Sequence, residues 1–209
     1  MDKFKSMTEL KELTKEGKDW EIECENCSSM VTILAIHGGG IEPATTELAY
    51  TIAHRGDYNY FSFKGMRSEG NNELHVTSTH YDDQIALDLV RGSQRTVAIH
   101  GCEGNESVAY IGGSDDRLIE LITESLEDIG ISVREAPHHI SGTQENNIVN
   151  MTQTQGGVQL ELTAQLRKEL FKNRKSSRKN RENKDNWDDL MYDFADAMKK
   201  AIELSLIHI

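Results

Sequence analysis

The sequence predicts an α/β protein in which a mixed, largely parallel central sheet is sandwiched by helices. Short apolar runs rich in β-branched residues alternate with helical stretches, as buried parallel strands and their crossover helices do. Two of these runs, 30–36 and 95–99, enter the same His-Gly junction, first in "AIHGGG" and again in "AIHGC". At 209 residues, the chain is long enough to bury a core, and we expect one domain over 1–209.

The first half of the chain supplies three predicted strands and one helix. The run 30–36 is apolar throughout, which is typical of a strand buried on both faces. A helix follows over 42–56, because Pro43 suits its first turn. Alternating polar and apolar residues predict further strands at 58–65 and 73–79.

The second half continues this alternation and ends in a helix. Its predicted strands are 95–99, 108–113, 131–136 and 158–163. Between them we predict a helix over 115–130, capped by Ser114 and ended by Gly130, and a long polar loop over 137–157. The last stretch, 186–206, has an apolar stripe at helical spacing and is predicted to be an amphipathic helix.

Charge is distributed unevenly along the chain. The net charge of −12 argues against general nucleic-acid binding. Residues 167–184 nevertheless hold nine Lys or Arg against Glu169 and Glu182, a local charge of +7 that leaves −19 for the remainder. This segment, called the basic arm below, is either a solvated, partly disordered connector or a guide for a polyanionic substrate.

Several protein classes are disfavoured by composition. No apolar stretch reaches 18 residues, so we expect no membrane span, and the charged N-terminus lacks the apolar core of a signal peptide. Three cysteines, Cys24, Cys27 and Cys102, provide no disulfide framework. We therefore expect a cytoplasmic protein that leaves its cell by lysis. The pair Cys24 and Cys27 is either incidental or a redox or metal pair.

The two His-Gly junctions suggest a metal site. His37 and His100 each end a buried run, and "GGGI" between His37 and Glu42 lets that carboxylate fold back towards the imidazole. Two imidazoles and one carboxylate with an open fourth position form the ligand set of a catalytic zinc, which activates water near neutral pH. The alternative is that both histidines merely cap strand ends.

Glu161 is the candidate for the proton-transfer group that such a site needs. It shares one face of the strand 158–163 with Gln159, while the apolar residues share the other face. A buried glutamate is costly without a compensating partner. We predict a general base, and the alternative is an ion pair with Arg167 or another arginine.

A family resemblance rests on five motifs: "AIHGGGIEPATTELA", "HVTSTHYDD", "VAIHGCEG", "ENNIVN" and "GVQLELTAQLR". In this order, over about residues 30–167, they resemble the phage poly-γ-glutamate hydrolase family, which includes prophage relatives once labelled as replication proteins. The resemblance implies a zinc peptidase with a fold similar to the zinc carboxypeptidases. It also implies cleavage of γ-glutamyl amide bonds in the capsule of Bacillus hosts, which helps phage to pass that capsule.

Carried over residue by residue, the resemblance places the metal ligands on His37, Glu42 and His100, and the catalytic glutamate of the carboxypeptidases on Glu161. One zinc per chain is implied. Four residues separate His37 from Glu42, whereas carboxypeptidases have two between the corresponding ligands. Substrate α-carboxylates require cationic and amide groups, for which the candidates are Arg67, His80, Asn147 and Asn150.

The expected partner is the polyanionic polymer, bound by a monomer without membrane or nucleic acid. Two other functions stay open at this point. One is a zinc amidohydrolase acting on small N-acyl acidic substrates, for which the same site would serve. The other is a phage nucleic-acid-associated protein that uses the basic arm to bind phosphate.

Overall fold

The computed structural model describes residues 2–207, so Met1, His208 and Ile209 of the predicted domain lie outside the described residues. Seven strands form one sheet in the order β1-β3-β2-β4-β7-β5-β6. They are β1 (Trp20–Glu25), β2 (Val31–Gly39), β3 (Asn59–Gly65), β4 (Arg95–Cys102), β5 (Val108–Gly113), β6 (Ser132–Glu135) and β7 (Val158–Thr163). Only the pairs β1–β3 and β5–β7 are antiparallel, so the predicted mixed, largely parallel sheet is confirmed.

Helices cover both faces of the sheet. They are α1 (Met7–Leu13), α2 (Thr45–Gly56), α3 (Gln84–Arg91), α4 (Asp116–Asp128), α5 (Ala164–Glu169), α6 (Arg178–Arg181) and α7 (Asp189–Leu206). The larger core lies between the sheet and α2, α4 and α7, and the smaller core packs α1 and α3 on the opposite face. None of the described helices combines the length and apolar character needed to cross a lipid bilayer.

Strand β2 shows why its sequence is apolar throughout. Successive side chains of a strand point to opposite faces of the sheet. Ile33 and Ala35 accordingly enter the larger core, while Leu34 and Ile36 enter the smaller one. All four are fully buried, so β2 lacks the alternating polar residues of a strand with one face in solvent.

The predicted element boundaries agree best with the structure where the sequence shows a single clear pattern of apolar residues. The strands predicted at 108–113 and 158–163 match β5 and β7 to the residue. The helix predicted over 115–130 is α4, whose cap is Asp115 rather than Ser114, because the Asp115 side chain accepts the N–H of Leu118.

The predicted strand at 73–79 was wrong. The chain there forms two short 3₁₀ turns, Asn71–Leu74 and Ser78–His80. Leu74, Val76 and Ser78 are buried at alternate positions, which imitates a strand pattern. Their segment packs on the smaller core without pairing to the sheet, since the N–H of Thr77 donates to the side chain of Asp2.

The basic arm is folded. Residues 167–184 include the end of α5 and all of α6, and both Arg167 and Arg181 are buried. The remaining seven cations of the arm, from Lys168 to Lys184, lie exposed. The helix predicted over 186–206 is α7, and Trp187 lies just before its start. The arm therefore anchors itself with two arginines and presents its other cations to solvent.

Candidate metal centre and active site

His37 and His100 occupy equivalent places on neighbouring strands. They lie near the carboxyl ends of β2 and β4, which run parallel and side by side, and both are 2% exposed. Their Nδ1 atoms lie 3.1 Å apart. Parallel strands bring their carboxyl ends to one edge of a sheet, where ligands of open α/β sheets bind.

Glu42 reaches the two imidazoles because the glycine loop after β2 turns back on itself. The N–H of Glu42 donates to the carbonyl oxygen of His37 over 2.8 Å. Its Oε1 then lies 3.0 Å from His37 Nδ1, and its Oε2 lies 3.6 Å from His100 Nδ1. The N–H of Gly101 donates to Oε2 over 2.8 Å and fixes the carboxylate.

The turn requires glycine at two of its positions. A Cβ at residue 38 would lie 2.2 Å from Oγ1 of Thr46, and Gly39 has a φ of +63°. Both conditions exclude larger side chains, since no Cβ fits at the first and only glycine adopts the second without strain. The four-residue spacing between His37 and Glu42 is therefore accommodated by a tight glycine turn.

The three side chains fit a zinc ion. Their ligand atoms lie within 4.8 Å of one another. Tetrahedral zinc with bonds of about 2.0–2.1 Å separates its ligand atoms by roughly 3.4 Å, close to the distances observed. His37 Nε2 lies 2.8 Å from the carbonyl oxygen of Val76, which holds the proton on Nε2 and leaves the Nδ1 lone pair directed at the centre.

The pKa directions follow from burial and close charges. Burial alone would raise the pKa of Glu42, but the imidazoles of His37 and His100 hold it well below its usual range. Burial acts to lower the pKa of His100, but its hydrogen bond to the carboxylate of Glu42 and the charges of Glu161 and Glu42 outweigh burial, so this pKa is raised. Glu42 and His100 thus stabilise each other's charged form.

Glu161 lies beside this cluster on β7. It is paired in register with His100 of β4, and it is 6% exposed. Gln159 donates from Nε2 to Oε1 of Glu161 over 2.9 Å. Burial raises the pKa of Glu161 to about 7, despite the opposing charge of His100. A buried carboxyl with a pKa near neutrality suits proton transfer.

The alternative partner of Glu161 is engaged elsewhere. Arg167 donates from Nε, Nη1 and Nη2 to the carbonyl oxygens of Leu162, Pro43 and Cys102, at 3.1, 2.8 and 3.1 Å. These carbonyls belong to the end of β7, the loop that carries Glu42, and the end of β4. Arg167 therefore ties together the three segments that present the site, and it forms no ion pair with Glu161.

The three proposed metal ligands and Glu161 line one cleft of about 330 Å³. Its other polar walls include four residues that sequence reasoning did not assign to the site: His75, Thr77, Ser78 and His139. The ring of His75 lies 3.9 Å from that of His37, centroid to centroid, and its Nδ1 lies 2.7 Å from Oδ1 of Asp2. The motif "HVTSTH" contains the first three of these residues, but the strand predicted there did not place them in the site.

Of the four predicted substrate-binding residues, Asn147 lines the cleft and donates from Nδ2 to Oε1 of Gln159 over 3.1 Å. The amide of Asn150 is buried and bonds the backbone of its own loop. Arg67 donates to carboxylates of Asp19 and Glu73, and exposed His80 lines a different cavity. Substrate binding by these four residues stays a prediction.

Comparisons with known proteins agree with this geometry. The family model described as poly-gamma-glutamate hydrolase matches residues 4–197. The chain belongs to this family. The resemblance inferred from the five motifs is thereby confirmed.

Individual members of the poly-γ-glutamate hydrolase family match along most of the chain. The SPbeta prophage-derived protein YoqZ of Bacillus subtilis (strain 168) is 37% identical over 172 residues, which are 81% of this chain and 62% of YoqZ. The chain thus spans less than two thirds of that relative. A solved bacteriophage poly-gamma-glutamate hydrolase is 30% identical, with a TM-score of 0.94 over 99% of both chains. Zinc-free YndL is also 30% identical, with a TM-score of 0.91 over 98% of this chain and 99% of its own.

Proposed function

We propose that this member of the poly-γ-glutamate hydrolase family cleaves γ-glutamyl amide bonds of poly-γ-glutamate, with one zinc per chain held by His37, Glu42 and His100. The observation that carries the proposal is the convergence of these three donors beside the buried carboxyl of Glu161. The family match, a phage relative named for this activity and a relative described as zinc-free support it.

Other groups of the protein orient two of the proposed metal ligands. His37 is oriented by the carbonyl of Val76, and Glu42 by the N–H of Gly101. Such outer contacts set ligand orientation and metal affinity. A bound zinc would polarise the scissile carbonyl and make water acidic enough to ionise near neutral pH.

Glu161 performs the proton transfers. Its carboxylate takes the proton of the attacking water and then returns it to the α-amino nitrogen that leaves when the γ-amide bond breaks. Gln159 holds Oε1 of Glu161, and Asn147 holds Oε1 of Gln159, so the base is oriented by a buried amide chain. Each proton thus moves within a fixed network.

The cleft suits a substrate with carboxylates and amides. His75, His139, Thr77 and Ser78 provide hydrogen-bond donors around the reacting centre. The ring of His75 is held by the carboxylate of Asp2, which also accepts the N–H of Thr77 over 2.7 Å. Hydrogen bonds to charged groups are the stronger ones, so α-carboxylates gain most from these donors.

The test compares polymer with a small substrate. Zinc-loaded protein should shorten poly-γ-glutamate and release new α-amino groups, and chelation of the zinc should stop the reaction. N-acetylglutamate serves as the small acidic substrate that an amidohydrolase of the alternative class would prefer. Hydrolysis of N-acetylglutamate with intact polymer would contradict the proposal and favour the alternative.

A further inference from the structure

A second cavity, of about 290 Å³, lies on the other side of the glycine loop that carries Glu42. Gly39 and Gly40 form part of its wall, only two residues from His37 and Glu42, respectively, of the catalytic cleft. Arg181 donates from Nη2 to the carbonyl oxygen of Gly39 over 3.1 Å. Arg178 donates from Nη1 to that of Met66 over 2.9 Å. The basic arm therefore closes this cavity against the edge of the active site.

The cavity offers one cation without a carboxylate partner. Among the described residues, Lys184 forms no ion pair; its Nζ donates to the hydroxyl of Tyr50 over 3.0 Å and lies 4.2 Å from the Tyr50 ring centroid. Arg178 pairs with Glu182 at the exposed rim, and Arg181 pairs with Glu47 inside. Lys184 is thus the cation in this wall that is free to receive an anionic group.

The same cavity offers a buried acceptor without a donor. Glu47 is 9% exposed, and its Oε1 accepts from Nε of Arg181 over 3.1 Å. Its Oε2 is buried and has no hydrogen-bond partner within residues 2–207. Leaving a buried acceptor without a donor costs the free energy of its lost hydration. An N–H group of a bound molecule would relieve that cost.

Two aromatic residues of the wall are shared with a neighbouring cavity. Tyr50 and Trp187 line the space between Lys184 and Glu47. Together with Lys184, they also line a further cavity of about 260 Å³ that leads on to His54 and Arg55. The two cavities share Tyr50, Lys184 and Trp187, and together they form a groove that leads from the glycine loop to α2.

We propose that this groove is a second binding site for the polymer, occupied by γ-glutamyl residues distant from the bond that is cut. Each such residue carries an α-carboxylate for Lys184, an amide N–H for Glu47 and two methylenes for the half-buried ring of Tyr50. The proposal rests on the proposed function, because it takes the same polymer as its ligand.

Single-stranded nucleic acid is a weaker candidate for this groove. The phosphodiester backbone carries no N–H for the buried acceptor of Glu47, whereas every γ-glutamyl residue carries an amide N–H. Trp187 is 6% exposed, and its indole N–H donates to the carbonyl oxygen of Arg181 over 2.7 Å. No free indole face is offered to a base, although stacking is what such sites use.

The test is Lys184→Gln in the zinc-loaded full chain, measured on long polymer and on a short γ-glutamyl oligomer. The ratio of the polymer KM to the oligomer KM should rise about three- to tenfold, because the short oligomer cannot reach both sites. Lys184→Arg should restore the ratio. Lys200→Gln is the matched control, since Lys200 is exposed on α7 and pairs with Asp128 away from the groove.

Direct binding separates the two proposals. In Glu161→Gln protein, added Lys184→Gln should weaken polymer binding by a similar factor. Cleavage of polymer with an unchanged KM ratio would overturn the groove and leave the proposed function standing. Absence of polymer cleavage would overturn the proposed function. The binding comparison with and without Lys184→Gln would then test the groove by itself. Oligothymidylate that competes with polymer and depends on Lys184 would make nucleic acid the occupant and overturn the proposal.

Discussion

The catalytic cleft and the groove beside it are built in opposite ways. The cleft holds its polar groups at the ends of apolar strands, where His37, His100 and Glu161 are almost fully buried, and hydrogen bonds from other protein groups orient His37 and Glu161. The groove is closed by a charged surface segment whose free cation, Lys184, is exposed. Rigid burial suits bond breaking, since catalysis requires fixed geometry. An exposed cation suits capture of a long polyanion, which approaches in many registers.

The largest effect that this comparison predicts is loss of metal from the cleft. His37→Ala or His100→Ala removes one of three ligands, so zinc content should fall from about one equivalent to near zero, with activity lost. Elemental analysis of protein purified without added metal measures this. His80→Ala is the control, because that exposed histidine lies outside the cleft, and it should keep its zinc. Full zinc retention in both ligand variants would refute the assigned site.

The second prediction separates the base from the ligands. Glu161→Gln keeps the shape of the side chain but cannot accept a proton, so kcat should fall by roughly 10²–10⁴ while zinc content stays near that of the wild type. Glu135→Gln, an exposed position on the edge strand β6, should leave kcat unchanged. An active Glu161→Gln variant would place the base on another residue of the cleft.

The third prediction concerns Arg167, the basic-arm residue that belongs structurally to the cleft. Arg167→Lys replaces a fork that bonds three backbone carbonyls with one ammonium, and so leaves buried acceptors unpaired. Zinc affinity should fall about 10- to 100-fold, as for other groups that orient metal ligands. Competition with a chromophoric chelator measures this affinity. Arg178→Lys at the rim of the groove should leave zinc affinity intact. Equal losses in both variants would show that Arg167 has no special role at the metal site.

The fourth prediction is a pH dependence of stability in the metal-free protein. Glu161 has a folded pKa of about 7, above its usual 4.5, so between these pH values the folded chain keeps a proton that the unfolded chain has lost. Stability should therefore fall as pH rises from about 4.5 to 7, by about 3 kcal/mol at most from this group. Urea denaturation at several pH values measures the slope. Glu161→Gln should flatten it, and an identical slope in the variant would assign the dependence to other groups.

The smallest expected effect belongs to the outer cations of the basic arm. Replacing Lys172, Arg174, Lys175, Arg178 and Lys179 with Gln should raise the KM for long polymer several-fold and change kcat little. The difference should shrink in high salt, because exposed charges are screened within about 8–10 Å at physiological ionic strength. Equal KM values for variant and wild type in low salt would contradict a guiding role and leave the arm as a connector.

The cleft was largely predictable from the sequence, and the groove was not. Strand-end histidines are predictable because an apolar run that stops at His-Gly fixes both the strand and the edge at which it ends. Glu42 was predictable as their partner because the glycines between it and His37 allow the chain to turn back. The strand predicted at 73–79 failed because burial at alternate residues has the same pattern whether or not a strand pairs.

The arm was ambiguous for a different reason. Its fold depends on contacts that no local pattern reveals, such as Arg181 with Glu47, 134 residues apart, and Arg167 with the carbonyl of Pro43, 124 residues apart. A run of cations has the same composition whether it is solvated or anchored. The edge strand β1 escaped detection similarly, because its carboxylates face solvent and mask its few apolar residues.

The position of β7 has a consequence for how the protein is made. This strand is the last to be synthesised, yet it lies in the middle of the sheet, between β4 and β5. Until residue 163 has been translated, β4 and β5 lack the strand that pairs with both, and His100 has no Glu161 beside it. A nascent chain thus exposes open apolar edges, which attract other chains, and its two histidines lack the neighbouring carboxyl. The candidate site is complete only when β7 closes the sheet.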